Sequence, residues 1–344
     1  MVEKQYVRRI NNSVRLYILS QSILKNRNNG LDLLRGMSIL YIVGYWHLFN
    51  YTGAFCCYKN GITYRVTWIV LGIFVLISGY LMGKKNISMN KRSLLIFYKK
   101  RLIRIYPLYC LAIILFYVFN LSRGIALLKA MFGVSMFIKP SPPTLWFVAM
   151  LIVFYIISPF FIVLFRIHIA VGLIGAVFIL LIFTFYGYGT RKMDLRLLVY
   201  LPSFLTGMLF ALKYQSMIKK KRLIALLSIV SILISYVFLN FNRSIVFLAS
   251  MPMITICPLL FLMLIVDYEI KLKRKRKLVY FISYISYSMY LFHRPIYVIL
   301  KNSYFPKAGF SQVLYLGLFC FPLIILISYG VQRLYDSIIE KYIK

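Results

Sequence analysis

Acidic side chains are nearly missing: Asp and Glu number 7 in 344 residues against 42 Lys and Arg, a formal net charge of +35. With 62% hydrophobic and only 14% charged residues, the chain has too little polar surface to coat a soluble protein of this length. Carboxylates this scarce also exclude a two-metal site, and no HExxH, GxSxG or GxxxxGK[ST] pattern occurs. The 5 cysteines lack CxxC spacing and a His cluster, which excludes a zinc module and a disulfide framework, and no metal is expected. No low-complexity linker or internal repeat divides the sequence. One membrane domain, 31–344, after a basic tail, 1–30, is therefore expected.

Long apolar runs are what the sequence has in abundance. A helix needs about 20 apolar residues, at about 1.5 Å each, to cross the hydrocarbon. Ten stretches qualify: 32–52, 64–83, 106–121, 144–166, 168–187, 196–213, 222–240, 244–266, 279–300 and 311–331. The third is short, which reads as tilted or partly re-entrant. Backbone polar groups in lipid must bond internally, and the runs are too long and too continuously apolar for barrel strands. The fold class is accordingly all-α, a polytopic membrane bundle of about ten transmembrane helices. Placing the N-terminus inside puts 29 of the Lys and Arg in inside loops and 11 in outside ones, so both termini are expected in the cytoplasm. Basic clusters between apolar runs read as topology determinants and anionic-lipid contacts, not as a nucleic-acid surface. The first run lacks a signal-peptide pattern and is expected to stay as an anchor.

A few polar groups inside the runs require explanation. Asp32 and Arg35, at i and i+3, are placed to pair at the inner interface, either to set topology or to hold an arginine for an anionic ligand. His47 lies about 18 Å further along that helix. A histidine at such depth is a functional candidate or a satisfied structural group. His293, entering from the inside on another run, reaches a similar depth beside Arg294 and Pro295, so two histidines are placed to line one cavity. His168 falls at a turn and reads as a solvated residue. The run from Lys84 to Arg104 reads as an interfacial helix on anionic lipid, or as a phosphate grip in which Arg101 and Arg104 share a face.

The ordered set Leu31-Asp32-Leu33-Leu34-Arg35-Gly36 to His47, Ile77-Ser78-Gly79-Tyr80, Phe97-Tyr98 through Arg101 and Arg104 to Tyr109, Leu145-Trp146-Phe147, Leu201-Pro202-Ser203-Phe204, and Ile285-Ser286-Tyr287-Ser288-Met289-Tyr290-Leu291-Phe292-His293 resembles the membrane-bound acyltransferase-3 family, the bacterial O-acetyltransferases of surface glycans. The resemblance implies transfer of an acyl group, usually acetyl, from cytoplasmic acetyl-CoA or another acyl-CoA to a hydroxyl of an envelope glycan, in the bacterial inner membrane. It implies His47 as general base or acyl carrier, with Asp32 and Arg35 in the same catalytic group. Arg101 and Arg104 are the expected partners of the donor phosphates, and Ser78, Trp146, Tyr287, Ser288 and His293 the expected further substrate contacts. The family places ten residues between this arginine and histidine, whereas eleven intervene here. At about 100° per residue the extra one turns His47 by roughly 120° from Arg35. Either a π-bulge near Gly44 absorbs it, or the two groups face different clefts. The competing class is a transporter, flippase or polymerase of lipid-linked glycans without acyl transfer.

Overall fold

The computed structural model describes residues 28–238, 240–268 and 273–343; most of the expected basic tail, 1–27, lies outside them. The chain is 82% helical and, among the described residues, without strands. Helix α1 spans Asn29–Tyr41, with a π turn at Ile42–His47 and a short 3₁₀ turn at Phe49–Tyr51. There follow α2 Gly61–Gly83, α3 Lys91–Val118, α4 Gly124–Met131, α5 Leu145–Ile167, α6 Ile169–Thr190 and α7 Leu195–Leu212. The rest comprises α8 Tyr214–Ile218, α9 Lys221–Val237, α10 Arg243–Ala249, α11 Met251–Ile265, α12 Lys273–Ser303, α13 Gly309–Leu314, a second π turn at Tyr315–Cys320 and α14 Phe321–Ile343.

Seven helical stretches among the described residues are long and apolar enough to cross a membrane: 61–83, 91–118, 145–167, 169–190, 195–212, 244–265 and 309–339. The other three apolar runs of the sequence are also helical but fall outside that set. The first is broken by its π turn, the seventh is 17 residues long, and the ninth is diluted by Ser and Tyr. The third run is not short: α3 is one helix of 28 residues, and the basic cluster expected at the interface forms its first turns.

Local chemistry starts and seats these helices. Asn28 caps α1 by accepting from Leu31 N (2.9 Å) while its amide donates to Val266 O (2.7 Å), which ties that start to the end of α11. Asn60 and Thr63 form a reciprocal capping box on α2, and His168 accepts from Ala170 N at the start of α6 as a surface cap. The bundle centre is set by small residues. A Cβ on Gly79 would lie 1.9 Å from Phe204 O, and one on Gly207 would lie 2.1 Å from Leu76 O. Backbones of α2 and α7 therefore touch where only hydrogen fits. Arg65, buried in α2, donates Nε to Ser235 Oγ (2.9 Å) and lies 4.0 Å from the Tyr236 ring centre, which fastens α9 to the bundle. Within their apolar windows α2 and α7 are 61% buried and α6 only 17%, so α2 and α7 are central and α6 offers its apolar surface outward.

Candidate active site

Two cavities occupy the bundle, one toward the end where α1 begins and one toward the opposite, far end. The first, about 550 Å³, is walled by Arg35 of α1, Ser78 of α2, Lys100, Arg101 and Arg104 of α3, Tyr155 of α5 and a polar face of α12 that includes Ser283 and Tyr287. Asp336 is the carboxylate on its wall, and it already accepts from Tyr284 Oη and from Gln332 Nε2 (3.1 Å). Four cations facing one occupied acid make this cavity a place for an anion. Its hydroxyls are engaged: Ser78 Oγ donates to Phe74 O (2.8 Å) and Tyr287 Oη to Ile105 O (2.8 Å). Arg101 lies against the rings of Phe97 and Tyr155, 5.8 and 5.6 Å from their centres, which holds its guanidinium on the wall.

The far-end cavity, about 750 Å³, is lined by His47 and by Trp46, Tyr64, Trp68, Trp146, Tyr200 and Phe247, with Lys139, Asp194, Arg196 and Arg294 as its charged groups. Asp194 caps α7 and is held on two sides. Arg196 donates Nε to Oδ1 (2.8 Å) and Nη2 to Oδ2 (2.5 Å), and Ser141 Oγ donates to Oδ2 (3.0 Å). The Arg196 guanidinium in turn lies 4.1 Å from the Trp146 ring centre. Burial alone would raise the Asp194 carboxyl, but the Arg196 hydrogen bonds and charge, with Ser141, outweigh it and hold the group below its ordinary value.

The π turn explains how α1 serves both cavities. An i→i+5 turn takes up one extra residue, so the twelve-residue step from Arg35 to His47 turns the chain about as eleven would, and both side chains fall on one stripe. The stripe is long enough that they still meet different cavities, one at each end. Gly44 sits within the bulge, and a Cβ there would come 2.9 Å from the Phe321 ring of α14.

Helix α12 has the complementary stripe. Tyr280, Ser283, Tyr284 and Tyr287 face the first cavity, Arg294 faces the second, and Tyr290 is common to both walls. Tyr290 Oη donates to Thr144 O (2.9 Å) at the start of α5, which keeps the phenol across the boundary. One turn on, His293 is fully buried and borders neither cavity. Its ring centre is 4.8 Å from that of His47. Nδ1 of His293 faces Tyr290 O (2.8 Å) and Met289 O (3.2 Å). Because carbonyls only accept, Nδ1 carries the proton, and Nε2 is left as a buried acceptor with no hydrogen-bond partner.

The structure thus brings Arg35, Arg101, Arg104, Ser78 and Tyr287 to one cavity, and His47 and Trp146 to the other. Asp32 is buried behind the first and accepts from Ser283 Oγ (2.7 Å). Ser288 donates to Ile285 O (2.9 Å) and Ser328 O (3.0 Å) and borders neither. Sequence reasoning missed Tyr290, Arg294 and the Asp194–Arg196–Ser141 cluster. Tyr290 lies one turn beyond Tyr287, and Arg294 is one of two basic residues outside every loop of the topology count. Both signals were available. Nothing in the sequence brings Ser141 to Asp194.

The acyltransferase-3 family model, described as an acyltransferase domain, matches residues 28–333. No curated protein and no solved structure gives a match.

Proposed function

The chain belongs to the acyltransferase-3 family, and from that premise we propose that it moves an acetyl group from acetyl-CoA to a hydroxyl of a cell-envelope glycan, with the α1 end in the bacterial cytoplasm. Acyl transfer needs a donor pocket for a phosphate-bearing thioester, an acceptor pocket for a hydroxyl and a proton acceptor between them. The basic cavity suits the donor, with Arg35, Arg101 and Arg104 opposing its phosphates. The aromatic far-end cavity suits a glycan ring, and His47 stands on its wall.

A hydroxyl is a weak nucleophile near neutral pH. His47 takes its proton as the oxygen attacks the thioester carbonyl, the C–S bond breaks as the tetrahedral adduct collapses, and the imidazolium returns the proton to the departing sulfur. His293, whose Nδ1 is fixed by two carbonyls, packs against the base and limits how its ring can turn. The observation that carries this reading is Tyr290, the wall shared by a basic cavity and a histidine-bearing one.

His47→Ala should abolish transfer of labelled acetyl from acetyl-CoA to envelope glycan in membranes while the protein remains at wild-type abundance; retained transfer removes the base. The double change Arg101→Ala with Arg104→Ala should raise the donor KM on the order of tenfold or more. A donor KM equal to that of wild type would return these residues to lipid contact.

A further inference from the structure

The far-end cavity carries more positive charge than acyl transfer to a neutral sugar requires. Four charged groups line it, from the loop before α5, the start of α7 and α12. Asp194 and Arg196 cancel each other in a two-pronged pair that Ser141 completes. Lys139 and Arg294 are left, and neither meets a carboxylate among the described residues. Arg294 is the more telling of the two. It is half-buried one turn beyond Tyr290, it faces the cavity, and its Nε is fully enclosed without a hydrogen-bond partner. An enclosed guanidinium N–H left unmatched is costly, and no hydrogen bond among the described residues holds the rest of the guanidinium, which lines the cavity. Its neighbour in sequence, His293, packs on the His47 ring, so an anion gripped by Arg294 is held close to the group that takes the hydroxyl proton.

Resting on the acyl-transfer reading, we propose that the acceptor is an acidic saccharide whose carboxylate or phosphate is bound by Arg294, with Lys139 at the cavity edge, while its sugar ring lies among the cavity tryptophans. A planar guanidinium grips either anion through paired hydrogen bonds, and an aromatic wall gives the ring its apolar contact. A neutral glycan offers Arg294 single hydroxyl acceptors and no charge, so the cavity discriminates against it.

All 3 tryptophans of the chain, Trp46, Trp68 and Trp146, line this cavity, so intrinsic fluorescence of the whole purified protein in detergent reports on this site. The experiment titrates a hexuronate oligosaccharide, its carboxyl-reduced counterpart and a phosphate-bearing oligosaccharide of similar length, and in parallel measures transfer of labelled acetyl from acetyl-CoA to each. At least one acidic oligosaccharide should bind about tenfold or more tighter than the reduced one, and whichever of the two acidic forms binds tighter identifies the anion. Arg294→Gln should collapse that ratio, Arg294→Lys should keep part of it, and Lys139→Gln should shrink it less. The comparison of saccharides on the unaltered protein stands even where a variant fails to fold. Equal affinity for acidic and reduced forms, absence of quenching by all three, or a preference unmoved by both glutamine changes overturns the proposal. Transfer without acidic preference sinks this inference alone, whereas acid-selective binding without transfer to any of the three leaves the anion site standing and removes the acyl-transfer reading.

Discussion

Tyr290 stands in the walls of two cavities and is held there by one hydrogen bond to Thr144 O, so its ring decides whether the two cavities, donor and acceptor chambers on the proposed reading, communicate. Tyr290→Ala removes that partition. The expected outcome is release of free CoA thiol from acetyl-CoA in the absence of glycan, above the rate of the wild-type protein, together with weaker transfer when glycan is present; thiol release no faster than wild type would show that the ring is not the barrier. Tyr290→Phe keeps the ring and should cost only about 1 kcal/mol for the lost hydrogen bond. At Asp194 the argument is electrostatic. Its folded carboxyl titrates below the ordinary 3.8, so its stabilisation is fully present above that value and is lost as pH falls through the lower, folded one. Asp194→Asn should therefore lower stability by about 2 kcal/mol near neutral pH, and the difference from wild type should shrink as pH drops below 3.8. Tryptophan-monitored thermal melts at the two pH values check this, and a difference independent of pH would remove the charge from the explanation.

Helices differ in how they tolerate a single added methyl group. At Gly44 a Cβ meets the edge of the Phe321 ring at 2.9 Å, a side chain able to shift, so Gly44→Ala should cost about 1–3 kcal/mol and be partly rescued by Phe321→Leu in a double-mutant cycle. At Gly79 the same methyl meets Phe204 O at 1.9 Å, a backbone atom of the facing helix that cannot step aside. Gly79→Ala should therefore lower the detergent melting temperature far more than Gly44→Ala, with no rescue from side-chain changes on α7; equal effects would show that α2 and α7 are looser than the structure has them. The contrast also marks what the sequence discloses at this scale. Apolar runs disclosed where the long helices cross, because lipid demands continuous helical hydrogen bonding along each, but not all of their ends: α3 starts at 91 against an expected 106, and α14 runs to Ile343 against an expected 331. The extra residue before His47 was legible as a π-bulge or a divergence of clefts, and both hold. That α3 continues through its basic turns was not legible, since Lys100, Arg101 and Arg104 look interfacial when only hydropathy is read, and they line a cavity that only the fold creates.

The whole molecule is polarised along the bundle axis, a basic cavity at the α1 end and an aromatic one at the other. Loop charge was readable in sequence and is the ground for expecting the α1 end in the cytoplasm. The partition of candidate residues between two chambers was not readable, because Arg35 and His47 share a helix and differ only in depth. Orientation is open to direct measurement through cysteine. Lys59 is exposed in the segment joining the α1 turns to α2, at the far end with Lys139 and Thr144, whereas Cys257 and Cys320 are buried and Cys110 is half-buried in α3. With the α1 end inside, a membrane-impermeant maleimide added to spheroplasts should label Lys59→Cys in a protein whose Cys56 and Cys57 are both replaced by serine, and should leave the double-serine parent unlabelled. A reporter at the other end supplies the counterpart: Ser88 is exposed between α2 and α3, and Ser88→Cys on the same double-serine background should label only after the membrane is opened. Reversal of the two patterns would put the basic cavity outside, away from any cytoplasmic thioester, and acyl transfer from that side would have no supply of donor.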